Sequence, residues 1–205
     1  MARWTSKEMV LKINSTNEVI MFLEALQKQI KIVNIFADYY PGSVTIRFEG
    51  AKEKLKDAIE ITKRIHQIVK GMLYPDDEEF YNYDIEFLSK VTGKTFPIKP
   101  LLQILDYKGY DGHRKEGVFY SKINYNSLLG LITLLDKTMT EIPYEVATSS
   151  LRDVILVIAI AKNTTIDKAI ASAKKAKIVE EDELNRLKLV VEPTQALEKC
   201  IKITK

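Results

Sequence analysis

The sequence is poor in the residues that build covalent links and metal centres. It has one cysteine, Cys200, and two histidines, His66 and His113, in 205 residues. One cysteine cannot form a disulfide within the chain, and a zinc site of Cys and His ligands needs about four of them. We therefore expect no metal and no other cofactor. A cysteine-poor chain also fits a reducing compartment, and we expect a cytoplasmic protein.

Long apolar runs are missing as well. The longest spans Val154 to Ala161, between Asp153 and Lys162. A membrane-spanning helix needs about 20 such residues, so we expect no membrane partner. Residues 1–8 contain no apolar stretch typical of a secretory signal. The run at 154–161 fits either a buried helix or a central strand, and its composition leaves both open.

No catalytic motif is complete. Residues 91–95 read Val-Thr-Gly-Lys-Thr and end like a phosphate-binding loop, but position 88 is Leu where that motif has Gly. The sequence offers no base near Cys200 to activate its thiol. Because no acid–base or nucleophile pattern is present, we expect a protein without enzymatic activity.

The composition is that of a folded protein. Hydrophobic residues make up 46% and charged residues 29%, with a net charge of +3. Intrinsic disorder combines low hydrophobicity with high net charge and is excluded. The chain has 25 Lys and 24 Ile but only 5 Gln. This bias is typical of thermophiles, and an AT-rich genome would produce it too.

Residues 1–75 follow a β-α-β-β-α pattern. Apolar residues alternate at Met9–Ile13 and at Val44–Phe48, as in half-buried strands, and they recur at helical spacing around Leu26 and along Leu55–Met72. Ser15 and Glu18 have the spacing of a helix-capping box. The pattern predicts an α+β fold that begins with a β-α-β-β-α sandwich.

Three further regions follow. Residues 76–83 begin with four acids and predict an acidic linker. Residues 84–145 predict two helices, a hairpin with its tip at 112–117 and another helix, which is the order of a winged-helix-like region. Residues 146–205 predict a mainly helical C-terminal region.

Basic residues carry the functional signal. Residues 90–122 hold seven bases against three acids, with tyrosines between them. Bases neutralise phosphates, and aromatic rings stack on bases of single strands. A second set lies on one face of the helix after residue 51. The residues that we expect to contact nucleic acid are Lys94, Lys99, Tyr110, Arg114, Lys115, Lys56 and Lys63.

Two resemblances extend this interpretation. Residues 44–50 and the helix over 51–69 resemble the last strand and helix of a KH-like RNA-binding module, although residues 1–75 contain no Gly-x-x-Gly loop. The β-α-β-β-α opening, Thr95-Phe96-Pro97, the run at 101–105 and Lys108-Gly109-Tyr110 resemble an uncharacterised archaeal family, a domain of unknown function. The second resemblance implies an archaeal origin and no particular activity.

Two functions remain as hypotheses. The first is a non-enzymatic accessory protein that binds nucleic acid, RNA in preference to DNA. The second is an interaction subunit of a larger intracellular protein complex, in which the acidic strip at 76–83 and the apolar C-terminal helices contact a protein partner. Neither hypothesis depends on an oligomeric state.

Overall fold

The computed structural model describes residues 4–201. This part of the chain mixes helices with small antiparallel sheets, so the expected α+β class is confirmed. The chain divides into two compact units, Met1–Asp84 and Ile85–Lys205.

The first unit is built on a three-stranded sheet. Its elements are β1 (Trp4–Lys12), α1 (Thr16–Gln29), β2 (Asn34–Tyr40), β3 (Ser43–Ala51), α2 (Lys52–Leu73) and β4 (Tyr81–Asp84). β3 lies in the centre and pairs antiparallel with β1 and β2. The turn between β2 and β3 contains Gly42 at φ +88°, a backbone conformation that glycine adopts without a steric cost.

One face of this sheet carries the core of the unit. Val44, Ile46 and Phe48 of β3 are fully buried, while the intervening residues of β3 point to the other face. α2 contacts β3, β1 and α1. Its buried residues recur every three or four positions, as the sequence predicts: Leu55, Ala58, Thr62, Ile65, Val69 and Met72.

The predicted capping box of α1 forms one of its two hydrogen bonds, and the second bond has a different donor. The Ser15 hydroxyl accepts a hydrogen bond from the Glu18 N–H at 3.2 Å. In a capping box the Glu18 carboxylate would accept from the N–H of Ser15. Here it accepts from the N–H of Asn14 at 2.8 Å, so the cap reaches one residue further back.

The acidic segment holds regular structure. The Asp76 carboxylate accepts hydrogen bonds from the N–H groups of Glu78 and Phe80, at 3.0 and 2.9 Å, and closes a turn. β4 follows, contacts α2 and buries Tyr83 completely. Residues 81–84 therefore pack within the first unit.

The second unit is mainly helical. Its elements are α3 (Ile85–Thr92), α4 (Ile98–Tyr107), β5 (Gly112–Lys115), β6 (Val118–Ser121), α5 (Tyr125–Thr140), α6 (Ser149–Ala161), α7 (Ile166–Lys175), β7 (Val179–Glu181), β8 (Leu187–Leu189) and α8 (Pro193–Cys200). α8 ends at Cys200, followed by an extended Ile201. The rest of the region predicted as helical, residues 202–205, lies outside the described residues.

The open question at 154–161 is settled in favour of a helix. α6 is capped by the Thr148 hydroxyl, which accepts from the N–H of Leu151 at 3.2 Å. Every residue from Val154 to Ile160 is buried. α4, α5, α7 and α8 all contact α6. A helix surrounded on all sides has no polar face, and its sequence therefore shows no helical period.

Candidate functional site

The second unit has a β5–β6 hairpin where the sequence predicts one, but its tip is shorter than the predicted 112–117, because residues 112–115 pair with β6 as strand β5. Glu116 and Gly117 form its two-residue turn, both with positive φ, at 49° and 84°. Such a turn matches the twist of the strands it joins. Phe119 on β6 is buried and holds the hairpin against its own unit, whereas all four residues of β5 are exposed.

An aromatic pair lies on one face of the hairpin. His113 and Tyr120 are opposite each other in the register, and their rings stack with centroids 4.8 Å apart and planes 2° apart. Side chains alternate along a strand, so Lys115 is on the same face as this pair. Arg114 is on the opposite face, across from Phe119.

Arg114 and Lys115 are available for a ligand. Both are exposed, and neither forms an ion pair with another residue in the part of the chain described. Tyr110 is half-buried and lines a cavity of about 270 Å³ at the base of the hairpin, together with His113, Gln103 and Phe119. The structure thus brings three of the predicted residues, Tyr110, Arg114 and Lys115, to one hairpin.

The other two predicted residues of this unit have acidic neighbours. The Lys94 ammonium lies 3.4 Å from an oxygen of Asp136 on α5. Lys99 begins α4 near Asp153, where its charge opposes the effect of burial, which raises the pKa of the Asp153 carboxyl. Both lysines therefore have part of their charge balanced within the fold.

Lys56 and Lys63 belong to the first unit. They are exposed on α2, on the side away from its buried residues, as their spacing predicts. Neither has an ion-pair partner among residues 4–201. They form a basic helix face of the first unit, whereas the hairpin belongs to the second.

A second surface escaped the sequence interpretation. The outer face of the first sheet exposes Trp4, Val10, Phe36 and Tyr40. The Arg47 guanidinium stacks on the Phe36 ring at 4.8 Å and also lies 3.4 Å from Glu49. The sequence does carry a signal for this surface: in β1 and β2, large apolar residues occur at the outward-facing positions as well as at the core-facing ones.

Two kinds of feature are absent from the part of the chain that the structure describes. Residues 4–201 contain no group of three or more His, Cys, Asp or Glu side chains that could hold a metal ion. Within that same range, the helices all fall short of the length and apolarity needed to cross a membrane.

Comparison with known proteins gives a family. No curated protein and no solved structure matches the chain. A family model described as "Uncharacterized protein conserved in archaea (DUF2067)" matches residues 11–198. Because this match covers nearly the whole sequence, the chain belongs to that family of uncharacterised archaeal proteins.

Proposed function

We propose that the protein binds single-stranded nucleic acid, RNA in preference to DNA, through the β5–β6 hairpin. The observation that carries this proposal is the stack of the exposed His113 ring on the half-buried Tyr120 ring, with Lys115 on the same face and Arg114 on the opposite face of β5. Aromatic faces accept unpaired bases, and neighbouring cations neutralise the phosphates between them. Tyr110 extends the same surface toward the base of the hairpin.

The distribution of charge along the chain supports binding of nucleic acid through a local patch. Residues 90–122 carry four more bases than acids, whereas the whole chain has a net charge of only +3. Such a chain would bind through a defined patch and not through its bulk charge. The order α3, α4, hairpin, α5 favours the winged-helix interpretation of this region, with the hairpin as its wing. Lys56 and Lys63 form a separate set of proposed phosphate contacts on α2 of the first unit.

The role proposed is that of a non-enzymatic accessory protein of the archaeal cytoplasm. A stacking platform flanked by cations binds a strand without requiring a reacting group. A labelled RNA should therefore be recovered intact after prolonged incubation with the protein. The KH-like shape of the first unit stays a prediction, and without a Gly-x-x-Gly loop it would contribute little to gripping a backbone.

A titration with matched variants tests the proposal. A labelled single-stranded RNA of about 15 nucleotides, within the range of known binding sites, is followed by fluorescence anisotropy at low and moderate salt. The Arg114→Ala/Lys115→Ala double variant should bind roughly tenfold more weakly at low salt, with a shallower salt dependence. The Lys137→Ala/Lys168→Ala variant removes the same charge from exposed positions on α5 and α7 and should bind like the wild type.

Two results would contradict the hairpin as the site. One is the absence of any binding to RNA or DNA at low salt. The other is an equal loss in the two double variants, which would indicate bulk electrostatics. Equal affinity for RNA and DNA of the same sequence would retain the site and remove the preference for RNA, which needs a contact to the 2′-hydroxyl.

A second function, an interaction subunit of a protein complex, is favoured by the outer face of the first sheet. Trp4, Val10 and Tyr40 are 62 to 69% exposed there. Exposed apolar patches of this kind mark protein contacts. The charged residues on this face are Lys12, Arg47, Glu8, Asp38 and Glu49, and three acids against two bases suit a protein better than a nucleic acid.

Recovery of the native complex tests this second function. Tagged protein is isolated from its host after nuclease treatment, and a stoichiometric protein partner should be retained. A Val10→Asp/Tyr40→Asp variant should lose that partner, while the hairpin double variant should keep it. Retention of the partner by both variants would exclude the sheet face.

A further inference from the structure

A second cavity lies elsewhere in the second unit, where the C-terminal ends of four helices meet. α4 ends at Tyr107, α6 at Ala161, α7 at Lys175 and α8 at Cys200. All four residues line the cavity, which has a volume of about 670 Å³. This volume falls within the range of pockets that hold small organic ligands.

The charged lining is mainly basic. Lys162, Lys175 and Lys199 come from three different helix ends, and Asp106 is the one acidic residue in the wall. Within residues 4–201, none of these lysines forms an ion pair or a side-chain hydrogen bond. The negative ends of the four helices and the Asp106 carboxylate oppose an anion here, whereas the three ammonium groups attract one.

Helix capping accounts for only part of this arrangement. Lysines near a helix C-terminus stabilise its dipole and can cap its carbonyls. However, three of these helices are already closed by a backbone turn with one left-handed residue. The residues in the left-handed conformation are Gly109, Asn163 and Lys177, and the closing hydrogen bonds run from Tyr110, Thr164 and Ile178 to Leu105, Ala159 and Ala173, at 2.9, 2.8 and 3.2 Å.

The neutral part of the wall offers donors and an apolar surface. The Ser172 hydroxyl hydrogen-bonds the Cys200 thiol, whose pKa is raised chiefly by burial. Burial, together with Glu198 and Asp106, also raises the pKa of the Tyr107 phenol. Both groups therefore stay protonated at neutral pH and can donate hydrogen bonds to an anion. Ala161 and Ala176 line the remainder.

We propose that this cavity binds a small phosphorylated organic molecule of about the size of a mononucleotide, with Lys162, Lys175 and Lys199 around its phosphate. Three point charges suit a dianionic phosphate better than a single carboxylate. The alanine-lined remainder leaves room for an organic group that inorganic phosphate lacks. Asp106 lines both this cavity and the one at the base of the hairpin, but none of the three lysines belongs to the hairpin. Variants at these lysines therefore test the cavity separately from nucleic-acid binding.

Isothermal titration calorimetry of the full chain tests the proposal with three probes: pyrophosphate, AMP and adenosine. Pyrophosphate and AMP should bind saturably at one site per chain, and adenosine should bind at least about tenfold more weakly because it lacks the phosphate. Lys162→Met and Lys199→Met should each weaken AMP binding by about tenfold. Lys168→Met, at an exposed position of α7 outside the cavity, should leave it unchanged.

Alkylation of Cys200 provides a second readout, measured at raised pH because the buried thiol reacts slowly at neutral pH. Cys200 is the only cysteine of the chain and lines this wall. Saturating AMP should slow the alkylation of Cys200 by iodoacetamide. The same AMP concentration should protect Cys200 in the Lys168→Met variant but not in the Lys199→Met variant. Competition by a 5′-phosphorylated hexanucleotide would identify a nucleic-acid end as a source of the phosphate, and competition by AMP alone would identify a free metabolite.

The proposal is overturned by any of three results. The first is no saturable heat from pyrophosphate or AMP up to about 10 mM, beyond the weakest affinities of functional sites. The second is equal weakening in Lys168→Met and the cavity variants. The third is AMP binding that leaves the alkylation rate of Cys200 unchanged. The three substituted lysines are exposed, so the variants should fold, and circular dichroism of each variant verifies this.

Discussion

The carboxylate of Glu18 accepts a hydrogen bond from the phenol of Tyr74 at 3.1 Å, which ties the first turn of α1 to the residue that ends α2. Glu18 is completely buried. Its second oxygen lies 3.4 Å from Nε2 of His66 on α2, and the same nitrogen lies 3.1 Å from the carbonyl oxygen of Lys12. Since a carbonyl only accepts, this nitrogen carries a proton and donates it. Glu18 thus connects α1 with α2, and His66 connects α2 with the end of β1.

Replacement of Glu18 should therefore destabilise the first unit strongly. Glu18→Ala removes the acceptor for the Asn14 N–H and the Tyr74 hydroxyl, and we expect a loss of roughly 2–4 kcal/mol in the free energy of unfolding. Tyr74→Phe should lose about 1 kcal/mol. Urea unfolding followed by circular dichroism measures both. Glu24→Ala, at an exposed position of α1, serves as the control and should stay within about 0.5 kcal/mol of the wild type. A Glu18→Ala variant as stable as Glu24→Ala would contradict the bridging role of Glu18.

The sequence could predict the helix cap in this network but not the contacts between α1 and α2. The spacing of Ser15 and Glu18 indicated a helix cap, because a cap depends on residues a few positions apart. The distance between Glu18 and Tyr74 depends on how α1 and α2 pack. The contact between His66 and the Lys12 carbonyl also depends on packing, since 54 positions separate the two residues.

The candidate site shows the same limit. The glycines at 112 and 117 and the basic residues between them predicted an exposed hairpin, since turn chemistry is local. That Asp136 balances the charge of Lys94 depends on the packing of α5. The lysines of the cavity come from the ends of α6, α7 and α8, and no spacing along the chain relates them.

Two glycines should respond to alanine in opposite directions. Gly130 lies in the middle of α5, exposed and with open space where a Cβ would stand, so Gly130→Ala should stabilise the second unit by about 0.5–1 kcal/mol. Gly42 also has open space but sits at φ +88°, so Gly42→Ala should destabilise the first unit by about 1 kcal/mol. Thermal unfolding of both variants gives the sign. A stabilising Gly42→Ala would contradict the strained turn.

Loss of the hairpin stack should weaken RNA binding without changing its salt dependence. Tyr120→Ala removes an aromatic face but no charge, and we expect a loss of about 1–3 kcal/mol in the binding free energy. Anisotropy titrations at several salt concentrations separate the two effects, because only variants that lose a phosphate contact have a shallower slope. Tyr40→Ala, the same change on the sheet of the first unit, serves as the control. If Tyr40→Ala were the more damaging variant, the strand would bind the sheet instead of the hairpin.

The buried carboxyl of Asp153 should make the second unit less stable at neutral pH than in acid. Burial raises its pKa above 3.8, and the charge of Lys99 only partly opposes this. Below pH 3.8 the group is protonated in both the folded and the unfolded chain. As the pH rises through its pKa in the folded state, the unfolded chain loses the proton first and stability falls. Asp153→Asn should therefore raise the melting temperature at pH 7 and leave it unchanged at pH 3.

Asp182 provides the opposite case on the β7–β8 connection. Its carboxylate accepts hydrogen bonds from the N–H groups of Arg186 and Leu184, both at 2.9 Å, and pairs with the Arg186 guanidinium at 3.0 Å. These contacts, with the Arg186 N–H first among them, lower the pKa of Asp182 below 3.8. The stability that they contribute is present above pH 3.8 and is lost as the pH falls through the lowered pKa. Asp182→Asn should thus lower the melting temperature at pH 7, and the difference from the wild type should shrink toward pH 2. The two asparagine variants measured side by side must deviate in opposite directions at pH 7, and deviations of the same sign would contradict one of the two assignments.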